Sequence, residues 1–333
     1  MSAPTVGVLG AGAWGTALAQ MLASDGRDVV LWAREAELVE EINTARTNSP
    51  FLSGVQLAAT IRATGDLAEA GGVDILLVVT PAQHMGTILE SMPRLPRDLV
   101  LCSKGIEART GRAMHTVAVD AAQSKGADSR IAVLSGPTFA IEVARGLPTA
   151  VTLACDAGEA QWERLSAAIA RPTFRPYYSD DVTGAEIGGA VKNVLAIACG
   201  VVDGLALGEN ARAALIARGY AEMLRFGEAL GSRAETLAGL CGLGDLVLTC
   251  SSTKSRNFSL GHALGQGGSA LDLMSDRRTV AEGAHTAPAL AKLARENGVA
   301  MPIVEAVVAL LEGAGAQTVV DALLARPLKA ERA

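Results

Sequence analysis

Hydrophobic residues in the first half of the chain come in short continuous runs, each closed by glycine, proline or a polar residue. Runs of this kind predict strands that are buried on both faces, as in a parallel sheet covered by helices. A last, alternating run closes this half of the chain. The strands predicted on this basis are residues 6–9, 28–32, 73–79, 99–103, 131–134 and 174–178.

From residue 180 onward the pattern changes, because apolar positions follow helical spacing and glycine clusters separate the segments. The chain has 333 residues, which is enough for two domains with a core each. We therefore predict an α/β domain over residues 1–179 and an all-α domain over residues 180–333.

The first predicted strand runs directly into a glycine-rich turn, GAGAWG at residues 10–15, and good helix formers follow. In a strand–turn–helix unit, Gly10 permits the tight turn and Gly12 lets the backbone approach a pyrophosphate. Gly15 lets the helix pack closely on the strand, and the helix N-terminus holds the anion. The motif predicts a dinucleotide site and a Rossmann-type, doubly wound sheet.

Two further residues of this turn, Ala13 and Trp14, stand where the loop should touch the cofactor, although packing alone could explain the tryptophan. About twenty residues past the glycines, the second strand ends at Arg34. An acidic residue there suits the ribose hydroxyls of NAD, whereas arginine suits the 2′-phosphate of NADP. Arg34 therefore favours NADPH over NADH. The alternative is a solvated arginine beside Glu35 and Glu37.

A lysine stands inside a long apolar run that is compatible with a helix, GAVKNVLAIACGVVDGLALGEN at residues 189–210. An ammonium in such a run is costly unless it meets a partner or a ligand. Steps of four from Lys192 reach Gly188 and Ala196, so almost no side chain flanks the lysine on its own helix face. The alternative is a helix of small residues whose lysine extends to solvent. Close approach by another helix or by a ligand is predicted at Gly184, Gly188, Gly189, Gly200 and Gly204.

Composition and charge exclude several classes of protein. Half of the residues are apolar and few are charged, which excludes a disordered chain, and the net charge of −6 argues against a nucleic-acid surface. No basic segment followed by an apolar one precedes the first strand, so no secretory signal is expected. The longest apolar stretch, near residues 194–202, is about half of the ~20 residues that span a bilayer. A cytoplasmic protein without membrane insertion is expected.

The cysteines and histidines predict no metal site. The five cysteines show no C-x-x-C spacing and are interpreted as small core residues in a reducing compartment. The four histidines lack the spacing of metal ligands and receive no chemical role. They are His84, His115, His262 and His285.

The run at residues 189–210 matches throughout the signature of NAD(P)-dependent glycerol-3-phosphate dehydrogenases of the bacterial type, and the resemblance extends in separate blocks from Val6 to about Leu311. It implies reversible reduction of dihydroxyacetone phosphate to sn-glycerol 3-phosphate by NADPH or NADH, for glycerophospholipid synthesis. It also implies an all-α C-terminal domain like that of 6-phosphogluconate dehydrogenase. A homodimer is the expected assembly.

The resemblance further implies roles for individual residues. Lys192 is implied to be the proton donor and acceptor for the substrate oxygen, and Lys104, in SKGIE, to contact both substrate and cofactor. Thr249 joins the predicted substrate site because it lies one helical turn from Asp245. The other implied substrate contacts are Gly136, Thr138, Asp245, Ser255, Arg256 and Asn257, the last two at the phosphate. The other implied cofactor contacts are Ala140, Arg256, Val280 and Glu282.

Some of these positions depart from the pattern of the family. Ala13 stands where serine is frequent, which removes a possible hydroxyl contact, whereas Thr138 replaces serine and keeps the hydroxyl. Ala281 replaces a more usual valine beside the two C-terminal cofactor positions. For Glu282, an exposed glutamate that caps a helix is the alternative interpretation.

The implied chemistry is consistent with the residue types. A hydride that reaches the ketone carbon leaves an alkoxide, which must be protonated as it forms. A lysine of ordinary pKa, near 10.4, can act as the acid in this direction, whereas the reverse reaction needs a pKa lowered toward neutrality. The cation of Lys104 would lower the pKa of Lys192, and the carboxylate of Asp245 would oppose that change.

Two other functions remain open at this stage. The first is another two-domain hydroxyacid or polyol dehydrogenase, in which a substrate without phosphate would make Arg256 unnecessary. The second is a non-catalytic module that senses NADPH. The joint presence of Lys104, Lys192 and Asp245 argues against the second.

Overall fold

The computed structural model describes residues 4–275, 281–328 and 330. The chain folds into two compact units. Unit 1 comprises the chain up to Ser103 together with Met114–Val182, and unit 2 comprises Lys104–Ala113 together with the chain from Thr183 onward. Lys104 therefore belongs to the same unit as Lys192. The predicted domain boundary between residues 179 and 180 stays a prediction.

Unit 1 is built on one sheet with the strand order β3-β2-β1-β4-β5-β6-β7-β8. Strands β1 to β6 run parallel, β7 runs antiparallel to β6, and β8 runs parallel to β7. The order reverses at β1, as it does in Rossmann folds. The strands are β1 (Val6–Leu9), β2 (Val29–Trp32), β3 (Ile61–Thr64), β4 (Ile75–Val78), β5 (Asp98–Leu101), β6 (Arg130–Ser135), β7 (Thr149–Cys155) and β8 (Phe174–Ser179).

Two of these strands, β3 and β7, were not predicted from the sequence. β3 is an edge strand of four residues whose second residue, Arg62, is exposed, so it lacks a continuous apolar run. β7 follows a loop that ends at Pro148, and its first residues, Thr149 and Ala150, are only half-buried. In both strands the pairing partner, not a distinct local pattern, determines the conformation.

Helices cover the faces of the sheet. β1, β4 and β5 are buried at every residue, as the continuous apolar runs predict. The helices of unit 1 are α1 (Ala13–Leu22), α2 (Ala36–Thr44), α3 (Leu67–Ala70), α4 (Ala82–Ser91), α5 (Met114–Ser124), α6 (Ala140–Ala144) and α7 (Glu159–Ile169).

Unit 2 is helical, and no strand occurs in residues 183–275 or 281–328. This confirms the predicted fold class, a Rossmann-type α/β sheet followed by an all-α part. The helices are α8 (Val182–Gly204), α9 (Glu209–Ala229), α10 (Ala234–Ala238), α11 (Asp245–Cys250), α12 (Arg256–Gly265), α13 (Ala270–Ser275), α14 (Glu282–Glu296), α15 (Pro302–Leu311) and α16 (Ala316–Leu324). A π-helical segment, Leu240–Gly244, precedes α11.

Helix α8 is the centre of unit 2. By length and composition alone it could cross a membrane, but 94% of its most apolar stretch is buried inside the protein, as in the core helix of a globular fold. Glycines let other segments touch its backbone. A methyl group at Gly200 would lie 2.0 Å from the main-chain oxygen of Phe258, and one at Gly204 would lie 2.2 Å from that of His262. The predicted close approach is confirmed at both positions, and the neighbour there is α12.

Candidate functional site

The central feature of unit 2 is a carboxylate held between two ammonium groups. The Lys192 Nζ donates to Asp245 Oδ1 at 2.7 Å and to Thr249 Oγ1 at 3.0 Å. The Lys104 Nζ donates to the other carboxylate oxygen, Asp245 Oδ2, at 2.6 Å. Thr249, one turn further along α11, lies 3.2 Å from Asp245 Oδ1. The structure therefore brings four of the predicted site residues together.

Burial and mutual charge set the protonation behaviour of this group. The side chain of Asp245 is fully buried, and that of Lys192 is 8% exposed. Burial lowers the pKa of Lys192 to about 8; Asp245 opposes this change, and the nearby ammonium of Lys104 contributes to it. Burial alone would raise the pKa of Asp245, but Lys104 and Lys192 hold it below its usual range. Lys192 can therefore both donate and accept a proton near neutral pH.

Local glycines explain how the sequence places Asp245 beside Lys192. A methyl group at Gly188 would lie 2.3 Å from the main-chain oxygen of Cys241, in the π-helical segment. Gly188 stands one turn before Lys192 on α8, so this segment presses against the same helix face. Because α11 begins directly after the segment, its first residue, Asp245, comes within hydrogen-bonding distance of the lysine. The empty helix face noted in the sequence thus accommodates protein backbone.

A second set of polar contacts joins three neighbouring elements. The Asn257 Nδ2 donates to Asn193 Oδ1 at 2.9 Å, and the main-chain N–H of Gly283 donates to Asn257 Oδ1 at 2.9 Å. Both asparagines are buried. Sequence reasoning missed Asn193. The signal that could have indicated it is an amide side chain inside an apolar run, directly after Lys192. The side chain of Asn257 is thus bonded within the protein, and its role at a phosphate stays a prediction.

The predicted helix start at residues 255–257 is confirmed. Ser255 is the N-cap of α12, and its hydroxyl accepts from the main-chain N–H of Phe258 at 3.3 Å. Arg256 is the first helical residue and is exposed. Its guanidinium and the free N–H groups of the first turn form a site that suits an anion.

In unit 1, the glycine-rich turn has the geometry that its sequence predicts. Gly10 has a φ of +118°, and a methyl group at Gly15 would lie 1.8 Å from the main-chain oxygen of Gly10. A methyl group at Gly12 would meet nothing within 4 Å, so space for a ligand remains beside it. α1 begins at Ala13, directly after the turn. These observations match a pyrophosphate site at the start of α1.

Two other predicted cofactor residues of unit 1 are Trp14, near the start of α1, and Arg34, just after β2. Trp14 packs against the core of the sheet, and its indole N–H is buried with no partner among the described residues. Arg34 follows β2 and is exposed, and its Nη2 lies 2.7 Å from Glu35 Oε1. An exposed ion pair of this kind contributes little to stability, so the guanidinium of Arg34 can leave Glu35 and pair with a phosphate.

The remaining predicted residues are distributed over both units. In unit 1, Gly136 follows β6, Thr138 Oγ1 donates to the main-chain oxygen of Gly136 at 3.3 Å, and Ala140 begins α6. In unit 2, Glu282 is the first residue of α14, and Val280 lies outside the described residues. Within residues 4–275, 281–328 and 330, no three histidine, cysteine, aspartate or glutamate side chains lie together in an arrangement that could hold a metal ion.

Comparison with protein families identifies both halves of the chain. Residues 5–161 match the family model described as the NAD-dependent glycerol-3-phosphate dehydrogenase N-terminus, and residues 181–321 match the one described as its C-terminus. The chain belongs to the NAD-dependent glycerol-3-phosphate dehydrogenase family.

Individual members of this family match over nearly the whole length. A protein of Erythrobacter litoralis named glycerol-3-phosphate dehydrogenase [NAD(P)+] is 71% identical over 98% of this chain and 97% of its own. One of the same name from Novosphingobium aromaticivorans is also 71% identical, over 98% of each chain. The crystal structure of a Coxiella burnetii glycerol-3-phosphate dehydrogenase superposes with a TM-score of 0.90 at 38% identity, covering 97% of this chain and 99% of the other.

Proposed function

We propose that this chain catalyses the reversible reduction of dihydroxyacetone phosphate to sn-glycerol 3-phosphate with NADPH or NADH, the activity of a glycerol-3-phosphate dehydrogenase [NAD(P)+] (EC 1.1.1.94). The observation that carries the proposal is the buried Lys104–Asp245–Lys192 group, which supplies an acid of the required pKa. Membership of the family and relatives of that name at 71% identity support the choice of substrate.

The reaction needs a group that protonates the substrate oxygen. Bound NAD(P)H supplies the hydride. Lys192 then delivers its proton to the oxygen as negative charge develops, and Lys104 stabilises that charge as a second cation. Asp245 fixes both ammonium groups in position, and Thr249 accepts a further hydrogen bond from Lys192. In the reverse direction, neutral Lys192 accepts the proton, which a pKa of about 8 permits near neutrality.

The substrate phosphate is assigned to the start of α12. Arg256 would bind it through the guanidinium and Asn257 through its free main-chain N–H, while Ser255 caps the helix. Gly136 and Thr138 are proposed as further substrate contacts. The cofactor would be held by Gly10, Gly12, Ala13, Trp14, Gly15, Arg34 and Ala140 in unit 1 and by Lys104, Arg256, Val280 and Glu282 in unit 2.

The assay for this function is direct. The purified chain is incubated with NADPH and dihydroxyacetone phosphate, NADPH absorbance is followed, and the product is identified as sn-glycerol 3-phosphate. NADPH consumption that depends on the phosphorylated ketone is expected. Equal rates with unphosphorylated 2-oxoacids or ketoses would favour another hydroxyacid or polyol dehydrogenase. Binding of NADPH without turnover of any of these compounds would favour a module that senses NADPH.

Arg34→Ala is expected to weaken NADPH binding far more than NADH binding. Only NADPH carries the 2′-phosphate, and a charge-assisted contact is worth about 1.5 to 3 kcal/mol, or roughly ten- to a hundredfold in affinity. Dissociation constants of both cofactors, measured by fluorescence titration, test this expectation. Equal losses for the two cofactors would mean that Arg34 does not bind the 2′-phosphate.

Arg256→Ala is expected to raise the KM for dihydroxyacetone phosphate and to lower kcat. A phosphate held at a fixed position places the ketone for reaction, so its loss affects both constants. Steady-state kinetics with the phosphorylated and unphosphorylated ketone provide the comparison, because the latter should be a poor substrate whose rate changes far less. The NADPH affinity of the variant is measured separately. If the rates with both ketones fall by the same factor after that correction, Arg256 does not bind the substrate phosphate.

The assembly and location are also part of the proposal. We propose a cytoplasmic homodimer. Light scattering on the purified chain gives its mass in solution. A mass of about twice 34.1 kDa is expected, and a single chain mass at working concentration would contradict a dimer.

A further inference from the structure

Three hydroxyl side chains stand in line at the carboxyl edge of the sheet in unit 1. The register of the strands places the positions just after β4 and β5 beside the last residue of β6. Thr80, Ser103 and Ser135 are therefore lateral neighbours, and Ser103 Oγ donates to the main-chain oxygen of Thr80 at 2.5 Å. These three residues are referred to below as the hydroxyl row.

The side-chain oxygens of two members of the hydroxyl row have no hydrogen-bond partner among the described residues. Thr80 and Ser135 are 2% and 3% exposed, and neither side-chain oxygen has a partner among the residues that the structure describes. A buried hydroxyl without a partner costs stability, so each such group calls for an explanation, such as an ordered water, an ion or a functional partner. Parallel sheets bind their ligands at this edge, which makes a ligand the expected partner.

The neighbours of the hydroxyl row indicate which ligand. Gly10 of the pyrophosphate turn lies against it, since a methyl group there would be 3.1 Å from the main-chain nitrogen of Thr80. β1 stands between β2 and β4 in the sheet. If the pyrophosphate binds at the turn, the adenosine half of the cofactor lies toward Arg34 after β2. The nicotinamide riboside half must then extend in the other direction, across β4, β5 and β6. That path follows the hydroxyl row.

We propose that Thr80 and Ser135 bind the nicotinamide riboside half of the cofactor through their hydroxyl groups, an inference that rests on the proposed function. A hydroxyl both donates and accepts, so it can pair with either the ribose hydroxyls or the carboxamide. Rotation about χ1 between staggered positions lets each oxygen turn toward the ligand. Two such bonds would restrain the nicotinamide ring before the substrate arrives.

The test measures cofactor binding by the full chain without substrate. Thr80→Val and Ser135→Ala remove the hydroxyls with little change in volume. Each is expected to weaken NADPH binding by about two- to tenfold, the worth of one neutral hydrogen bond. Binding of 2′-phospho-ADP-ribose, which lacks nicotinamide, should not change. The melting temperature of the cofactor-free protein should stay equal or rise, because an unpaired buried hydroxyl is removed.

The chain offers a matched control. Thr60 also has a buried hydroxyl without a partner among the described residues, but it precedes β3 at the opposite edge of the sheet. Thr60→Val should leave NADPH affinity unchanged. Equal losses for NADPH and 2′-phospho-ADP-ribose, or unchanged NADPH affinity in both variants, would overturn the proposal. Binding of NADPH without turnover of dihydroxyacetone phosphate would instead contradict the proposed function alone.

Discussion

Lys192→Ala is expected to abolish reduction of dihydroxyacetone phosphate while NADPH affinity stays near that of the wild type. The proposed role of Lys192 is to deliver a proton to the substrate oxygen, and loss of a positioned acid costs about 10²- to 10⁴-fold in rate. Asp245 keeps Lys104 as its ion-pair partner, at 2.6 Å, so its buried charge is not left alone. Single-turnover rates and NADPH titration separate the two effects.

Lys192→Arg is the matched variant for this experiment, since it keeps the positive charge. It should fail almost as completely, because a guanidinium with a pKa above ~12 is a poor proton donor. If either variant turns over within about tenfold of the wild-type rate, Lys192 is not the proton donor, because a positioned acid contributes a larger factor to the rate.

Asp245→Asn is expected to reduce turnover strongly at neutral pH and to recover part of it in acid. The carboxylate raises the pKa of Lys192 against burial and against Lys104. Without it, the pKa of Lys192 falls further below about 8, so the lysine loses its proton at neutral pH. Because the protonated amine is the acid, lowering the pH restores it. The pH dependence of kcat/KM in the reductive direction measures this shift.

A second aspartate of unit 2 supplies the control for that substitution. Asp203, on α8, has its Oδ2 2.8 Å from His262 Nδ1 and belongs to no part of the proposed site. Asp203→Asn should leave the pH profile of reduction in place. If Asp245→Asn shows the wild-type profile as well, Asp245 does not govern the protonation of Lys192.

Much of unit 1 was predictable because its signals are local. The turn at Gly10 needs positive φ, the buried strands need continuous apolar runs, and both requirements are visible in adjacent residues. β3 and β7 were missed because neither is buried at every residue, as a continuous apolar run would be: Arg62 in β3 is exposed, and Thr149 and Ala150 in β7 are only half-buried.

The candidate site shows the same limit. A lysine in an apolar helix pointed to a partner, but nothing local identified Asp245, which is 53 residues away, as that partner. The resemblance to a family supplied the residues, and the structure supplied their arrangement. Asn193 was missed because its bond to Asn257 spans 64 residues. Gly188 was predicted to be a position of close approach, but only the fold shows that the backbone of Cys241 approaches it.

The most direct test of the central claim is the pH dependence of kcat/KM for the wild-type protein in both directions. A proton donor with a pKa of about 8 predicts that reduction of dihydroxyacetone phosphate is constant below that pH and falls above it. Oxidation of sn-glycerol 3-phosphate should rise through the same pH, because the neutral amine is then the base. Profiles that pass through pH 8 unchanged in both directions would contradict Lys192 as the group that transfers the proton.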